Sequence, residues 1–170
     1  EISNDFAGIE ACGAIKNLYS MIIGASEGLC YENNNRESKH KNLEKEIRKK
    51  YHHNTAASLI HRSISEMVFF TKFLKGKEKT VYGLAGIGDL YVSAVGGRNS
   101  KMGKYLGKGY TYKEAKKKFM SNQTIEGAEL VFEVPLPDLE AWRALMAREV
   151  LAPAAVVAVV TRGVIYQRPQ

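Results

Sequence analysis

Lys16 is the first residue whose surroundings in the sequence suggest chemistry. It is the only charged side chain between Glu10 and Glu27, in a stretch of apolar and small neutral residues. A lysine in such a stretch either extends its ammonium to water or lies in a cleft, where it can transfer a proton to a bound ligand. The helical pattern alone favours the solvent edge, and Asn17 beside it needs a partner if it is buried.

Gly86-Ile87-Gly88-Asp89 is the second candidate, since glycines before a short helix let the backbone approach a ligand closely. Asp89 is the only acid from Thr80 to Tyr112, so it does not belong to a run of charges. It is interpreted either as a helix cap or as a ligand contact. The glycine spacing differs from the Gly-x-Gly-x-x-Gly of dinucleotide-binding loops, and no strand–helix–strand pattern surrounds it.

Gly96-Gly97-Arg98-Asn99 is the third candidate, and it has the composition of an anion site. Two glycines free backbone N–H groups to point at an anion, and the helix that follows favours negative charge at its start. Arg98 can hold a phosphate with two hydrogen bonds, although a plain surface turn is the alternative. The lysines that follow either are solvated or raise the local positive potential: Lys101, Lys104 and Lys108.

The composition limits the class of protein. The chain has 170 residues, a formal net charge of +7 and 45% hydrophobic residues, which is typical of a soluble globular domain. Its longest uncharged apolar run, Val150–Val160, is well short of the ~20 residues that cross a bilayer, so no membrane span is predicted. Cys12 and Cys30 form neither a Cys-x-x-Cys pair nor a zinc spacing, which favours a reduced, cytoplasmic protein without a bound metal. The opening Glu1, in place of Met, suggests that the chain begins inside a longer protein.

The spacing of apolar residues predicts a mostly α-helical chain. A long helix is predicted over Phe6–Leu29, with Cys12 in the core, and a second core helix over Asn54–Leu74, with Asn54 as its cap. Between them Tyr31–His53 is rich in Lys, Arg and Glu, which predicts a solvated helical excursion. Shorter helices are predicted over Asn99–Leu106, over Tyr112–Met120 behind a capping box at Thr111–Glu114, and from near Thr124–Glu126, with Glu126 as a helix-start acid.

The sequence changes character after Val134, since every lysine lies at or before Lys118. Asp138 is predicted to cap a further helix, and Val156–Val160 has the composition of a strand. We therefore predict an all-α domain over residues 1–133 and an irregular C-terminal tail over 134–170.

Several motifs occur in a recognisable order: Gly13-Ala14-x-Lys16-Asn17; Asn54 with Ala57, Arg62 and Glu66; Gly83-Leu84-Ala85-Gly86-Ile87-Gly88-Asp89-Leu90; Gly97-Arg98-Asn99; Leu106-Gly107-x-Gly109; and Ile125-Glu126-Gly127. Together they resemble the C-terminal domain of NAD(P)-dependent glycerol-3-phosphate dehydrogenase, over roughly residues 5 to 133. 6-Phosphogluconate dehydrogenase has a similar helical domain, but it separates the lysine and asparagine that are adjacent here. The adjacency favours the glycerol-phosphate family.

The resemblance implies an all-α domain, like the C-terminal domain of 6-phosphogluconate dehydrogenase, that closes over NAD or NADP held by an N-terminal Rossmann domain. It implies interconversion of dihydroxyacetone phosphate and sn-glycerol 3-phosphate, which supplies the phospholipid backbone, with Lys16 as the catalytic proton donor and acceptor. It places substrate contacts at Asp89, Gly97, Arg98 and Asn99, and cofactor contacts at Arg98, Thr124 and Glu126.

The chain departs from the family in three ways. The Rossmann domain is absent, so we expect the chain alone neither to bind NAD well nor to turn over, and its partner would be that domain in the same protein or in a separate subunit. Residues 31–53 resemble an insertion, and 134–170 do not match the closing helices of the family. The sequence leaves open the choice of NAD or NADP and the presence of a homodimer.

Two rival interpretations stay open. One is another sugar-phosphate or hydroxy-acid dehydrogenase with the same helical domain. The other is a non-catalytic basic helical binding module that would bind nucleic acid through Lys41–Lys50. We predict no nucleic-acid partner, because no aromatic or arginine pattern accompanies this basic stretch.

Overall fold

The computed structural model describes residues 3–32 and 41–133, with side chains over 3–30 and 53–129. These residues form helices α1 (Phe6–Glu32), α2 (Lys41–Phe73), α3 (Glu78–Val81), α4 (Asp89–Gly96), α5 (Arg98–Gly107), α6 (Tyr112–Phe119) and α7 (Glu126–Glu133). A π-helical turn over Leu84–Gly88 precedes α4. No strand occurs in the described ranges, which confirms the all-α class; the predictions for the tail over 134–170 lie outside them.

The long helix α1 lies at the centre of the fold, because apolar side chains cover it on two faces. One buried group packs between α1 and helices α2 to α4: Cys12, Tyr19, Ile22, Ile23, Met67, Val81, Leu90 and Ala94. The other packs between α1 and helices α5 to α7: Met21, Met102, Ala115, Met120, Ile125 and Ala128. A helix with two apolar faces needs neighbours on both. The full burial of Cys12 confirms that it is a core residue.

Glycines bring the backbones of α1 and α5 into direct contact. A Cβ on Gly103 would lie 1.9 Å from the carbonyl oxygen of Met21, and one on Gly24 would lie 2.0 Å from that of Ser100. No side chain fits at either position, since protein interiors are already close-packed. Gly24 thus lies at a close contact of the two helices, whereas a Cβ on Gly13 would have no atom within 4 Å.

The second helix begins earlier than the sequence analysis predicts. α2 is continuous over Lys41–Phe73, so Asn54 lies inside a helix and its prediction as a cap is wrong. The reason is that no glycine or proline occurs from 41 to 73 to end the helix, and the Asn54 carbonyl accepts a hydrogen bond from Ser58 Oγ at 3.1 Å. The predicted excursion over Tyr31–His53 is therefore not a separate element. Its first two residues end α1, and its residues from Lys41 onward form the start of α2.

Asp5 joins the start of α1 to the segment after α2. Its Oδ1 accepts a hydrogen bond from the Gly8 N–H at 3.2 Å, which caps α1. Its Oδ2 accepts bonds from the Lys77 N–H at 2.8 Å and the Thr80 hydroxyl at 2.5 Å. These donors hold the pKa of the Asp5 carboxyl below its ordinary value, with the Thr80 hydroxyl contributing most. The side chain thereby fixes α3, which the sequence analysis did not predict, against α1.

The predicted capping box of α6 is confirmed. The Glu114 N–H donates to Thr111 Oγ1 at 3.2 Å, and the Thr111 N–H donates to Glu114 Oε2 at 2.9 Å. α6 ends at Phe119, one residue before the predicted end. None of the helices within residues 3–32 and 41–133 combines the length and apolarity needed to cross a bilayer.

Candidate functional site

An open cleft of about 330 Å³ lies where α1, α4, α5 and α7 meet. We call it the main cleft, and it is lined by Gly13, Lys16, Asn17, Ser93, Gly97, Arg98, Asn99 and Glu126. The α1 residues recur at helical spacing, so they share one face of that helix. The start of α5 supplies the next group of lining residues, and the start of α7 supplies the glutamate.

Lys16 lies in the main cleft rather than at a free solvent edge. Its Nζ donates a hydrogen bond to Asp89 Oδ2, and its side chain is 18% exposed against 41% for Asp89. Within the described residues no bond joins the Asp89 carboxylate to the backbone of α4, so the interpretation as a helix cap is not supported. A Cβ on Gly86 would lie 2.0 Å from the Val81 carbonyl oxygen. The glycine therefore lets the π-helical turn pack on α3 and carry Asp89 toward α1.

Asn99 is almost fully buried at the main cleft, with 4% of its surface exposed. Its Nδ2 donates to Asn17 Oδ1 at 3.1 Å and to Glu126 Oε2 at 3.3 Å. Its Oδ1 accepts from the Gly127 N–H at 2.9 Å, and this set of partners fixes the orientation of the amide. A Cβ on Gly127 would lie 2.8 Å from the Asn17 carbonyl oxygen. The bonds of Asn99 hold the first turn of α7 against α1 and α5, and the absence of a side chain at Gly127 allows this close approach.

Arg98 is the most exposed charged side chain that lines the main cleft. Its Nη2 lies 2.5 Å from Glu126 Oε1, and the two side chains are 55% and 38% exposed. Glu126 therefore bridges the guanidinium and the Asn99 amide with its two oxygens. The guanidinium bonds no other described residue, so several of its five N–H donors can reach an anion.

Gly97 turns the chain from α4 into α5 and brings the start of α5 to the main cleft. A Cβ at this position would lie 2.4 Å from the Ser93 carbonyl oxygen, so only glycine fits the turn. No side chain caps the first N–H groups of α5. Free N–H groups at the positive end of a helix favour an anion beside Arg98.

A buried hydrogen-bonded group fixes α1 against α2. The Tyr19 hydroxyl donates to Glu66 Oε2, and Arg62 Nε lies 3.2 Å from Glu66 Oε1. Burial, together with the neighbouring Glu66 carboxylate, raises the pKa of Tyr19 well above its ordinary value, so the phenol stays a neutral donor. The bond sets the rotation of α1, which carries Lys16 one turn before Tyr19.

The structure brings together all but one of the residues singled out in the sequence. Lys16, Gly97, Arg98, Asn99 and Glu126 line the main cleft, and Asp89 reaches it through Lys16. Thr124 is exposed before α7 and does not line the cleft. Ser93 is a lining residue that the sequence analysis missed, although its place one turn after Asp89 puts both on one face of α4.

The main cleft combines two cations with two carboxylates, since Lys16 pairs with Asp89 and Arg98 with Glu126. The groups there that favour an anion are the remaining N–H donors of Arg98 and the positive start of α5. Among the described residues, no group of three His, Cys, Asp or Glu side chains is placed to hold a metal ion. The fold and the cleft therefore define a helical domain with an open cleft that is lined by both a lysine and an arginine.

Comparison with known proteins gives the family. Residues 5–136 match the family model described as NAD-dependent glycerol-3-phosphate dehydrogenase C-terminus. The chain belongs to this family, as the order of its motifs predicted.

Relatives of known sequence and structure agree with this assignment. The glycerol-3-phosphate dehydrogenase (NAD(P)+) of Coxiella burnetii (strain RSA 331 / Henzerling II) is 33% identical over 127 residues, which cover 74% of this chain and 32% of the relative. The NADP(+)-dependent enzyme of Archaeoglobus fulgidus is 36% identical over 115 residues, which cover 68% of this chain and 30% of the relative. The crystal structure of glycerol-3-phosphate dehydrogenase from Coxiella burnetii superposes with a TM-score of 0.65 at 28% identity, covering 97% of this chain and 42% of that one. The chain thus spans about a third of the length of the curated relatives it matches.

Proposed function

We propose that the chain is the substrate-binding part of an NAD(P)-dependent glycerol-3-phosphate dehydrogenase, which interconverts dihydroxyacetone phosphate and sn-glycerol 3-phosphate. The observation that carries this proposal is that Lys16 and Arg98 line the same cleft at the start of α5. An anion clamp and a proton donor in one cavity are what a phosphorylated ketone requires.

The phosphate end of the substrate binds at Arg98. The guanidinium donates charge-assisted hydrogen bonds to phosphate oxygens, and the first N–H groups of α5 add further donors. Glu126 and Asn99 hold this end of the cleft in place through the bonds described above. The phosphate thereby fixes the direction in which the rest of the molecule extends toward α1.

The carbonyl end of the substrate lies at Lys16. As the ketone is reduced, its oxygen gains negative charge, and the Lys16 ammonium donates a proton to it to give the alcohol. The neutral amine then regains a proton from water, and the reverse reaction uses the same amine as a base. Asp89 orients the ammonium through the hydrogen bond to its Nζ.

NAD(P)H, when a complete enzyme holds it, supplies the hydride for the ketone carbon. The residues present fit one end of such a cofactor, since Gly13 leaves open space beside Lys16, and Arg98 and Glu126 offer a donor and an acceptor. Binding of the rest requires a dinucleotide-binding domain in the same protein or in a separate subunit. This chain alone is therefore expected to bind the phosphorylated substrate without turning it over.

The proposal is tested by titrating the chain with sn-glycerol 3-phosphate, inorganic phosphate and glycerol, using amide NMR shifts. We expect the two phosphates to bind and glycerol to leave the spectrum unchanged. Arg98→Ala should weaken phosphate binding about tenfold or more, the value of one or two charge-assisted bonds, while Lys113→Ala on α6 should change it little. Equal binding by Arg98→Ala and the native chain would remove the clamp from the proposal.

The substrate is tested in a complete enzyme, made by joining the chain to the N-terminal part of the Coxiella burnetii relative. We expect oxidation of reduced cofactor with dihydroxyacetone phosphate. Activity with 6-phosphogluconate and none with dihydroxyacetone phosphate would assign the chain to a different dehydrogenase.

A further inference from the structure

A second cleft, of about 360 Å³, lies along α5 and shares Gly97 with the main cleft. We call it the lysine cleft, and it is lined by Val95, Gly96, Gly97, Ser100, Lys101, Lys104, Tyr105 and Lys108. Lys101 and Lys104 lie on one face of α5, and Lys108 directly follows its last residue. No aspartate or glutamate lines this cleft.

The positive charge of the lysine cleft is only partly balanced. Lys104 Nζ lies 2.8 Å from Glu27 Oε2 on α1. Lys101 and Lys108 are exposed, and neither forms an ion pair with any residue that the structure describes. Lys101 and Lys108 therefore line the cleft with positive charge that no described carboxylate pairs with.

The position of Lys101 is also unfavourable for the helix itself. It follows Arg98 by one turn, and the first turn of α5 contains no acidic residue. The helix macrodipole disfavours cations at this end, and like charges three residues apart repel each other. A bound anion would offset both costs.

The wall of the lysine cleft is held by aromatic packing. The ring of Tyr105 stacks on Phe119 with centroids 4.3 Å apart and meets the ring of Tyr110 edge-on at 6.2 Å. The ring that lines the cleft is therefore fixed from behind by α6 and the turn before it. A fixed wall lowers the entropy cost of holding a ligand beside it.

We propose that the lysine cleft is a second anion site, separate from the Arg98 site, that takes a soluble ligand with a diphosphate group. Lys101 and Lys104 lie on α5 and Lys108 is its C-cap, so the three lysines span about two helical turns, roughly 10 Å, which is long enough for two linked phosphates. The ligand lies against Lys101, Lys104 and Lys108, with Lys104 shared between it and Glu27. This site does not depend on the proposed dehydrogenase reaction.

The test is calorimetric titration of the whole chain with pyrophosphate and with inorganic phosphate at constant ionic strength. Lys101→Ala/Lys108→Ala should weaken pyrophosphate binding at least about tenfold, as expected for the loss of two charge-assisted contacts. The matched control, Lys113→Ala/Lys117→Ala on α6, removes the same charge from exposed positions and should change the affinity less than about twofold. Thermal unfolding of each variant verifies that it is folded.

Arg98→Ala separates the two clefts, since it should leave pyrophosphate binding in place. If the two double lysine variants lose pyrophosphate affinity equally, the effect is one of overall charge, and the proposal is overturned. Loss of pyrophosphate binding in Arg98→Ala would overturn it too, because the anion would then occupy the main cleft. No detectable binding of pyrophosphate to the native chain would also overturn it.

Discussion

Lys16 and Asp89 stand 73 positions apart in the sequence, yet the lysine Nζ donates a hydrogen bond to the aspartate Oδ2. α1 carries the ammonium, and the π-helical turn with α4 carries the carboxylate. The pair joins two elements at the main cleft and holds the ammonium in one place. An amine that is held beside a ligand is better suited to proton transfer than a freely rotating one.

Lys16→Ala is expected to lower kcat about 10²-fold or more in the enzyme completed with the Coxiella burnetii N-terminal part, because a positioned proton donor is lost. The measurement is steady-state cofactor oxidation with dihydroxyacetone phosphate. Lys113→Ala serves as the control, since that side chain is exposed on α6. An unchanged kcat in Lys16→Ala would exclude the lysine from the reaction.

Asn99→Ala is expected to lower the free energy of unfolding by about 1–3 kcal/mol, the cost of leaving buried partners without a hydrogen bond. The groups affected are the Gly127 N–H, the Asn17 amide and one oxygen of Glu126. Urea unfolding of the whole chain measures this change. Asn122→Ala, in the exposed turn before α7, is the control, and similar losses in the two variants would contradict the role of Asn99.

Gly103→Ala is expected to destabilise the chain by about 2 kcal/mol or more, because an added methyl group would overpack the contact with the Met21 carbonyl. Gly96→Ala is the matched control, since a Cβ there meets nothing within 4 Å. The control should unfold at the same denaturant concentration or slightly above it. If both variants unfold alike, the close approach of α1 and α5 is not required.

Much of the helical framework could be predicted because it depends on neighbours in sequence. The Thr111–Glu114 capping box and the glycine-rich turn before Asp89 are local patterns, and both were placed correctly. The cap at Asn54 was not placed correctly, because the preference of asparagine for helix starts is weak where no glycine or proline interrupts the helix on either side. The bond from Arg98 to Glu126 spans 28 positions, and no spacing rule predicts which loop brings two such residues together.

The stability of the chain is expected to fall at acidic pH in a way that depends on Asp5. Its pKa is lowered from 3.8 in the folded state, so the stabilisation is present above that value and is lost as the pH falls through the folded pKa. Asp5→Asn should have a lower free energy of unfolding than the native chain at pH 7. Between pH ~5 and ~2 its free energy of unfolding should fall by less than that of the native chain. Urea unfolding across this range is the measurement.

Glu10→Gln provides the control for the acid range, because Glu10 is exposed on α1. Its stability profile should follow that of the native chain. If the stability of Asp5→Asn and of the native chain falls in parallel as the pH is lowered, the Asp5 contacts do not contribute to the pH dependence of stability.

The contact of α1 with α5 at Gly24 and Gly103 also limits which molecules the main cleft can accept. Since the two backbones touch with no side chain between them, Lys16 and Arg98 are carried by helices that cannot slide past each other. The backbone positions that carry the amine and the guanidinium are therefore fixed relative to each other, and only rotation of the two side chains can change the distance between the groups.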